Sequence, residues 1–340
     1  MKGSKLIIYI SIFITSCTTF SYVEIETLAP AEIDIPVHLN KLVVIDRRSF
    51  NYTLSLTKNS FFSGLIFRDI DEETLQILDS LISDYYLGSL LENIKTEPRY
   101  NLISPDSSII VRKNQNLETD LLSRNEVNSI TQPYNADGVL SYESSSYFDK
   151  FKKNKNYEGS IDATIEIHIL STWFLYDKNK MNPIRISVRD TSFVDIFAYD
   201  IYDLEKKIPD PVSIIKESGI NAGLTLIQKL SPYWVESNRL YFTGPGLELK
   251  NAGMSVIDGS WDYATTIWSK LAEVNNRYIS TRAKFNMALA CEMQEKYDMA
   301  WEWIKDLYIP MWNEELILYQ NILQKRIADQ KKLNKQFIQK

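Results

Sequence analysis

Two cysteines and two histidines among 340 residues leave little room for the chemistry those side chains carry. A zinc site needs Cys and His ligands at close spacing, and His38 and His168 are far from each other and from Cys17 and Cys291. A disulfide framework needs several paired thiols, and none can be built here. Basic residues are not in excess: 38 Lys and Arg stand against 44 Asp and Glu, for a net charge of −6. That balance argues against a nucleic-acid partner, which calls for a basic face to neutralise phosphates. The chain has no Gly-x-Ser-x-Gly elbow, no P-loop and no dinucleotide glycine fingerprint. It has no apolar run of about 20 residues, the length a membrane-crossing helix needs.

These absences leave no catalytic residue, metal ligand or cofactor site to name. His168 lies in the alternating segment Thr164 to Leu170 and reads as a sheet histidine satisfied by its neighbours. His38 falls in a loop. The acids Asp69, Asp71, Glu72 and Glu73 suggest either a calcium or glycosidase-type carboxylate site or a helix start. The helix start explains each of them, because carboxylates suit the N-cap and the positive end of the helix dipole. Cys291 reads as a small buried hydrophobe.

The first informative stretch is the leader. Lys2 and Lys5 precede a nearly unbroken apolar run, Leu6 to Ile14, which is too short to span a bilayer but has signal-peptide proportions. Thr15 and Ser16 lead into Cys17. Ile-Thr-Ser-Cys resembles the lipobox of bacterial lipoproteins, which implies cleavage before Cys17 and lipid on its thiol. Removing residues 1–16 deletes two lysines and no acid, so the mature charge becomes −8.

Val23 to Leu28 alternates as a half-buried strand does, and Leu42-Val-Val-Ile45 is a continuous run typical of a buried central strand. Leu75, Leu78, Leu81, Ile82 and Tyr85 recur at helical spacing. Ser107 to Val111 predicts a short strand, Ser123 to Thr131 a short helix, and Ala136 to Tyr142 a turn entering a strand. The lysine-rich segment 150–155 predicts a solvated hairpin tip. Gly159 to Tyr176, Ile184 to Val188 and Phe193 to Tyr202 predict strands. Asp210-Pro opens a helix running to about Leu230, since proline suits the first helical turn. Arg239 to Phe242 predicts a last strand before the Thr243-Gly-Pro-Gly246 break.

Past that break the chain turns helical and repeats. Gly259-Ser-Trp-Asp-Tyr-Ala264 matches Glu295-Lys-Tyr-Asp-Met-Ala300, with Trp261 and Tyr297 in register. Small residues at Ala264, Ala288 and Ala300 let helices approach closely. The pattern resembles a tetratricopeptide pair. The expected fold class is α+β: a mixed β-sheet domain with packed helices, followed by an all-α module. The expected domains are a signal peptide at 1–16, a mixed α/β domain at 17–243, helix pairs at 244–312 and a basic helix at 313–340.

The lipobox, the segment Glu26 to Pro36, the strand Lys41 to Arg47, the stretch Gly223 to Arg239 and the repeat pair together resemble a family of Bacteroidetes envelope lipoproteins of unknown function. The resemblance implies a protein anchored in the outer membrane. The segment Thr18 to Tyr22, which puts no acid directly after Cys17, implies a periplasm-facing one. The expected activity is binding, not catalysis. A protein partner in the envelope is expected to dock on the helical module, and the bilayer is held through the acylated cysteine. Trp301, Trp303 and Trp312 are the candidate partner-binding residues, because Trp301 and Trp303 point about 200° apart on one helix and one of the two should be exposed. The alternative is an enzyme acting on envelope glycans through carboxylates that no motif marks.

Overall fold

The computed structural model describes residues 19–48, 72–94, 100–105, 120–157, 159–309 and 312–338. The expected leader with Cys17, the expected strand 107–111, and Asp69 and Asp71 lie outside them, as do the side chains of Glu72, Glu73, Leu75 and Leu78. The fold is α+β, with a mixed sheet and a run of helices at the carboxy-terminal end.

The chain divides into two compact units. One comprises Ala31–Tyr233 with Gln336–Lys340, and the other Met1–Pro30 with Trp234–Lys335. The first is built on a five-stranded sheet. Its strands are β2 (Lys41–Asp46), β3 (Asn101–Ile103), β4 (Gly138–Lys155), β5 (Ile161–Asp177) and β6 (Ile184–Ala198), in the order β3-β2-β4-β5-β6. β3 and β4 flank β2 in parallel, while β5 and β6 continue antiparallel.

Helices α1 (Glu72–Asn93) and α4 (Pro211–Leu230) pack on one sheet face. Ile82, Tyr86 and Leu90 of α1, with Ile215, Leu226 and Leu230 of α4, meet Leu42, Val44, Ile165, Ile167 and Trp173 there. Helix α2 (Arg124–Thr131) covers part of the opposite face, where Val127 joins Val43, Ile45, Val139, Phe174 and Tyr176. β2 is therefore buried on both faces, as its unbroken apolar run requires. β5 changes character along its length. Its first half alternates, with Asp162 exposed between buried Ile161 and Ala163, while its last seven residues are all buried. The boundary marks where cover on the second face ends.

The starts of α2 and α4 are specified locally. Ser123 and Glu126 form a reciprocal capping box on α2. Asp210 accepts from the Ser213 amide ahead of Pro211 on α4. The crossing of α1 and α4 depends on Gly219 and Gly223. A methyl group at Gly219 would sit 2.8 Å from the Ile82 carbonyl oxygen, and one at Gly223 would sit 2.7 Å from the Ser89 Cβ.

The second unit joins β1 (Phe20–Ala29) to β7 (Tyr233–Phe242) as a separate two-stranded sheet, followed by α5 (Leu247–Ile257), α6 (Trp261–Ala272), α7 (Arg277–Met293), α8 (Tyr297–Ile304) and α9 (Asn313–Ile338). This corrects the expected 17–243 domain at both ends. β1 does not enter the large sheet. Its Val23 packs with Tyr241, Leu249 and Trp268, and its Phe20 with Phe242 and Trp312. The helix expected at 313–340 is α9, and its Leu316, Tyr319 and Leu323 share a core with Phe285, Ala288 and Ile304.

Each of α5 to α8 packs on the next. α6 and α8 begin on Trp261 and Tyr297, 36 residues apart. The facing alanines Ala264, Ala288 and Ala300 are fully buried. The turns before α6 and α8 also correspond, since Gly259 and Glu295 both adopt positive φ, 74° and 58°. Glycine takes that conformation freely, whereas glutamate is strained there. Glu295→Gly is expected to raise stability by about 0.5–1 kcal/mol, read as a higher urea midpoint at unchanged slope. An unchanged or lower midpoint contradicts the strain argument.

Two further segments differ from expectation. Residues 150–155 are the end of strand β4 and not a loop. Phe151 turns inward and the Lys152 ammonium pairs across the strands with Glu166. Residues 201–202 leave the strand for a short helix, α3 (Ile201–Lys207), because Asp200 accepts from the Asp203 amide as an N-cap.

Candidate functional site

The two histidines sit in separate polar contacts. His38 Nε2 lies 2.8 Å from Asp177 Oδ2. His168 lies between Glu166 (Nε2 to Oε2, 3.3 Å) and the Thr191 hydroxyl (Nδ1 to Oγ1, 3.0 Å), and stacks on Phe148 at 4.3 Å. It is a satisfied sheet histidine, as its alternating context indicates. Cys291 is buried, and that burial pushes its thiol pKa up, away from the reactive thiolate. Among the described residues no group of three or more His, Cys, Asp or Glu could hold a metal ion.

The most polar interior cluster lies at the carboxyl end of β2. A bulge between Tyr142 and Ser144 pushes Glu143 out of the β4 ladder and toward Arg47, whose Nη1 lies 3.1 Å from Glu143 Oε1. Arg48 binds Asp46 through Nε and Nη2, at 2.9 Å and 2.6 Å, and its guanidinium lies 4.3 Å over the Tyr142 ring. Burial opposes the Arg48 charge, but the Asp46 hydrogen bonds and charge outweigh it, so its pKa lies above the ordinary arginine value. Tyr142 in turn stacks on Trp173 at 4.4 Å, and burial drives its hydroxyl pKa upward. The ion pairs hold β2 to β4, while Arg47 Nε and the Tyr142 hydroxyl stay buried with no hydrogen-bond partner among the described residues.

The structure changes the reading of the tryptophans. None of Trp301, Trp303 and Trp312 is exposed. Trp301 packs against the core formed by Phe285, Ile304 and Leu316, and Trp303 reaches both cores of the helical unit. Trp312 makes edge contacts with Phe20 at 4.6 Å and Phe242 at 5.7 Å. The 200° argument assumes one covered side, but the short helix α8 is covered on two.

A cluster of exposed aromatic side chains lies on the sheet unit. β6 is an edge strand, and among the described residues its far edge pairs with no strand. The end of its outer face carries Phe193 and Phe197, 62% and 51% exposed. Tyr199, Ile201 and Tyr202 follow, at 73%, 47% and 64%. Phe197 and Tyr199 meet edge to face at 5.5 Å. The ammonium of Lys206 lies 4.1 Å from the Tyr202 ring centre, and that of Lys207 lies 5.4 Å from the Tyr199 ring centre. Lys207 also donates to Asp203 at 2.9 Å and to the Phe197 carbonyl at 3.0 Å. Its hydrogen bond holds the Asp203 carboxyl below the usual range. The aromatic rings are thus braced before anything binds.

The sequence segment that builds this sheet also decides the family. The profile of a domain of unknown function, DUF8603, matches residues 40–242, from β2 through β7. The chain belongs to that family. A second profile, for the domain of unknown function DUF6340, matches residues 250–325, from α5 into α9. No curated protein compared with the chain matches it.

The other concave feature lies within the helical unit. A half-open groove of about 910 Å³ runs between the start of β1 and helix α5. Among the described residues Lys250 is the one charged residue along it, and no carboxylate lines it. Sequence reasoning missed both surfaces. Alternation marks Phe193 and Phe197 as same-face residues but does not say which face is covered. The groove needs β1 beside β7, a pairing no local pattern signals.

Proposed function

We propose that the protein is an envelope lipoprotein that acts by binding another protein and holding it near the membrane, without catalysis of its own. The observation that carries this reading is the braced aromatic surface formed by Phe193, Phe197, Tyr199, Ile201 and Tyr202 beside a sheet edge that pairs with no strand among the described residues. Aromatic side chains dominate the energetics of protein interfaces, and an unpaired edge strand offers backbone groups to an incoming segment. The anchor is the lipid expected on Cys17. The orientation toward the periplasm and the tetratricopeptide likeness of the helices belong to the same reading. The 36-residue spacing of α6 and α8 supports that likeness.

In-cell crosslinking of the full-length protein with a Phe193→Ser/Phe197→Ser variant tests the binding claim. Both side chains are exposed, so stability should change by no more than about 0.5 kcal/mol. The partner adduct seen with the parent protein should disappear. An adduct of undiminished yield, or no protein adduct from the parent at all, overturns the proposal. Mass spectrometry of the amino-terminal peptide tests the anchor, and an unmodified Cys17 overturns that part.

A further inference from the structure

The groove in the helical unit points to the lipid itself. Helix α5 is apolar on two sides. Leu249, Ala252 and Val256 enter the core with Trp268 and Leu271. Leu247, Met254 and Ile257 face outward, at 72%, 56% and 76% exposure, and line the groove with Lys250. Positions 247, 250, 254 and 257 fall on one helical stripe. Across from them stands Phe20 of β1, and the Thr243-to-Gly246 turn closes one side. The volume of about 910 Å³ lies within the ~300–1,000 Å³ range of sites that enclose small ligands. An apolar stripe this exposed on a globular unit calls for a cover.

The course of the chain identifies the cover. The first described residues, Thr19, Phe20 and Ser21, form one wall of the groove. Cys17 is two residues upstream of Thr19. At about 3.3–3.6 Å per residue, no more than ~7 Å of backbone separates it from the rim. Any acyl chain on its sulfur is longer than that gap. The lining suits such a chain: apolar side chains along its length, a lysine whose stem can lie along it with the ammonium in water, and no carboxylate to desolvate.

We propose that the groove seats an acyl chain carried by Cys17, so that the lipid exchanges between the protein's own cradle and the bilayer. This rests on the lipoprotein reading above and adds a position for the lipid that the reading does not require.

The test uses the full chain, processed in its host, with the photoreactive residue p-benzoylphenylalanine in place of Met254. A second variant carries it at Met181, which is 83% exposed in the sheet unit. After irradiation of isolated envelopes, peptides are analysed by mass spectrometry. The expected product joins the position-254 peptide to the lipid of the Cys17 peptide, and the position-181 variant yields none. Adding Ile257→Asp should abolish the adduct while leaving the thermal transition in place. Three products overturn the proposal when Cys17 is lipidated: an adduct only to bulk phospholipid, an adduct only to another polypeptide, or an adduct unaffected by Ile257→Asp. An unmodified Cys17 peptide overturns the anchor reading as well, so the two failures are distinguishable.

Discussion

Glu292→Ala is expected to cost about 3–5 kcal/mol of stability, the effect of removing one member of a fully buried ion pair. Glu292 is 2% exposed on α7 and receives three hydrogen bonds from Arg239 of β7, at 3.0–3.2 Å. The Tyr319 hydroxyl of α9 donates a fourth, at 2.9 Å. One carboxylate therefore ties a strand and two helices together. Without it Arg239 is a buried charge with no counter-ion, and burial already drives the Tyr319 pKa well up. The measurement is urea unfolding followed by tryptophan fluorescence. Six of the seven tryptophans lie in this unit, so the signal reports on it. Glu292→Ala with Arg239→Leu should recover part of the loss, because the orphan charge goes with the pair. A midpoint unmoved by the single change contradicts the assignment of this pair as the tie between β7, α7 and α9.

Gly223→Ala comes next, with an expected loss of about 1–3 kcal/mol. In an open helix the same change stabilises by up to about 1 kcal/mol, since alanine is the better helix former. The sign reverses here because the added methyl would meet the Ser89 Cβ at 2.7 Å and the Tyr86 carbonyl oxygen at 2.8 Å, backbone and near-backbone atoms that cannot swing aside. Gly88, on the facing helix α1, is the control. No atom lies within 4 Å of a methyl placed there, so Gly88→Ala should stabilise. Circular dichroism melts of the two variants should move in opposite directions. Destabilisation of similar size in both refutes the close-crossing argument.

Legibility from sequence followed the range of the signal. The unbroken run Leu42 to Ile45, the Asp210-Pro211 start and the spacing of Trp261 and Tyr297 are local codes, and each yields an element where it points. Asp200 is a local code too, but the aromatic and β-branched residues around it outweigh it, so the expected strand runs two residues into α3. The lysines at 150–155 look like a loop only until Glu166 stands opposite them. Trp301 and Trp303 look half free until a second layer covers α8. In each of these last cases the deciding partner is distant in sequence. His168 was legible because its partners are near at hand, Glu166 on its own strand and Thr191 opposite it on the next.

The pairing of β1 with β7 has a consequence for synthesis. The Thr27 hydroxyl donates to the Val235 carbonyl across 208 residues of chain, and nearly the whole five-stranded unit lies between them. A chain emerging amino end first delivers β1 long before β7, its strand partner among the described residues, exists. The intervening unit is continuous enough to fold first, while β1 waits unpaired. Any chaperone that shields nascent segments has most to do at this early strand, and a pause after the large sheet is complete would strand it there longest.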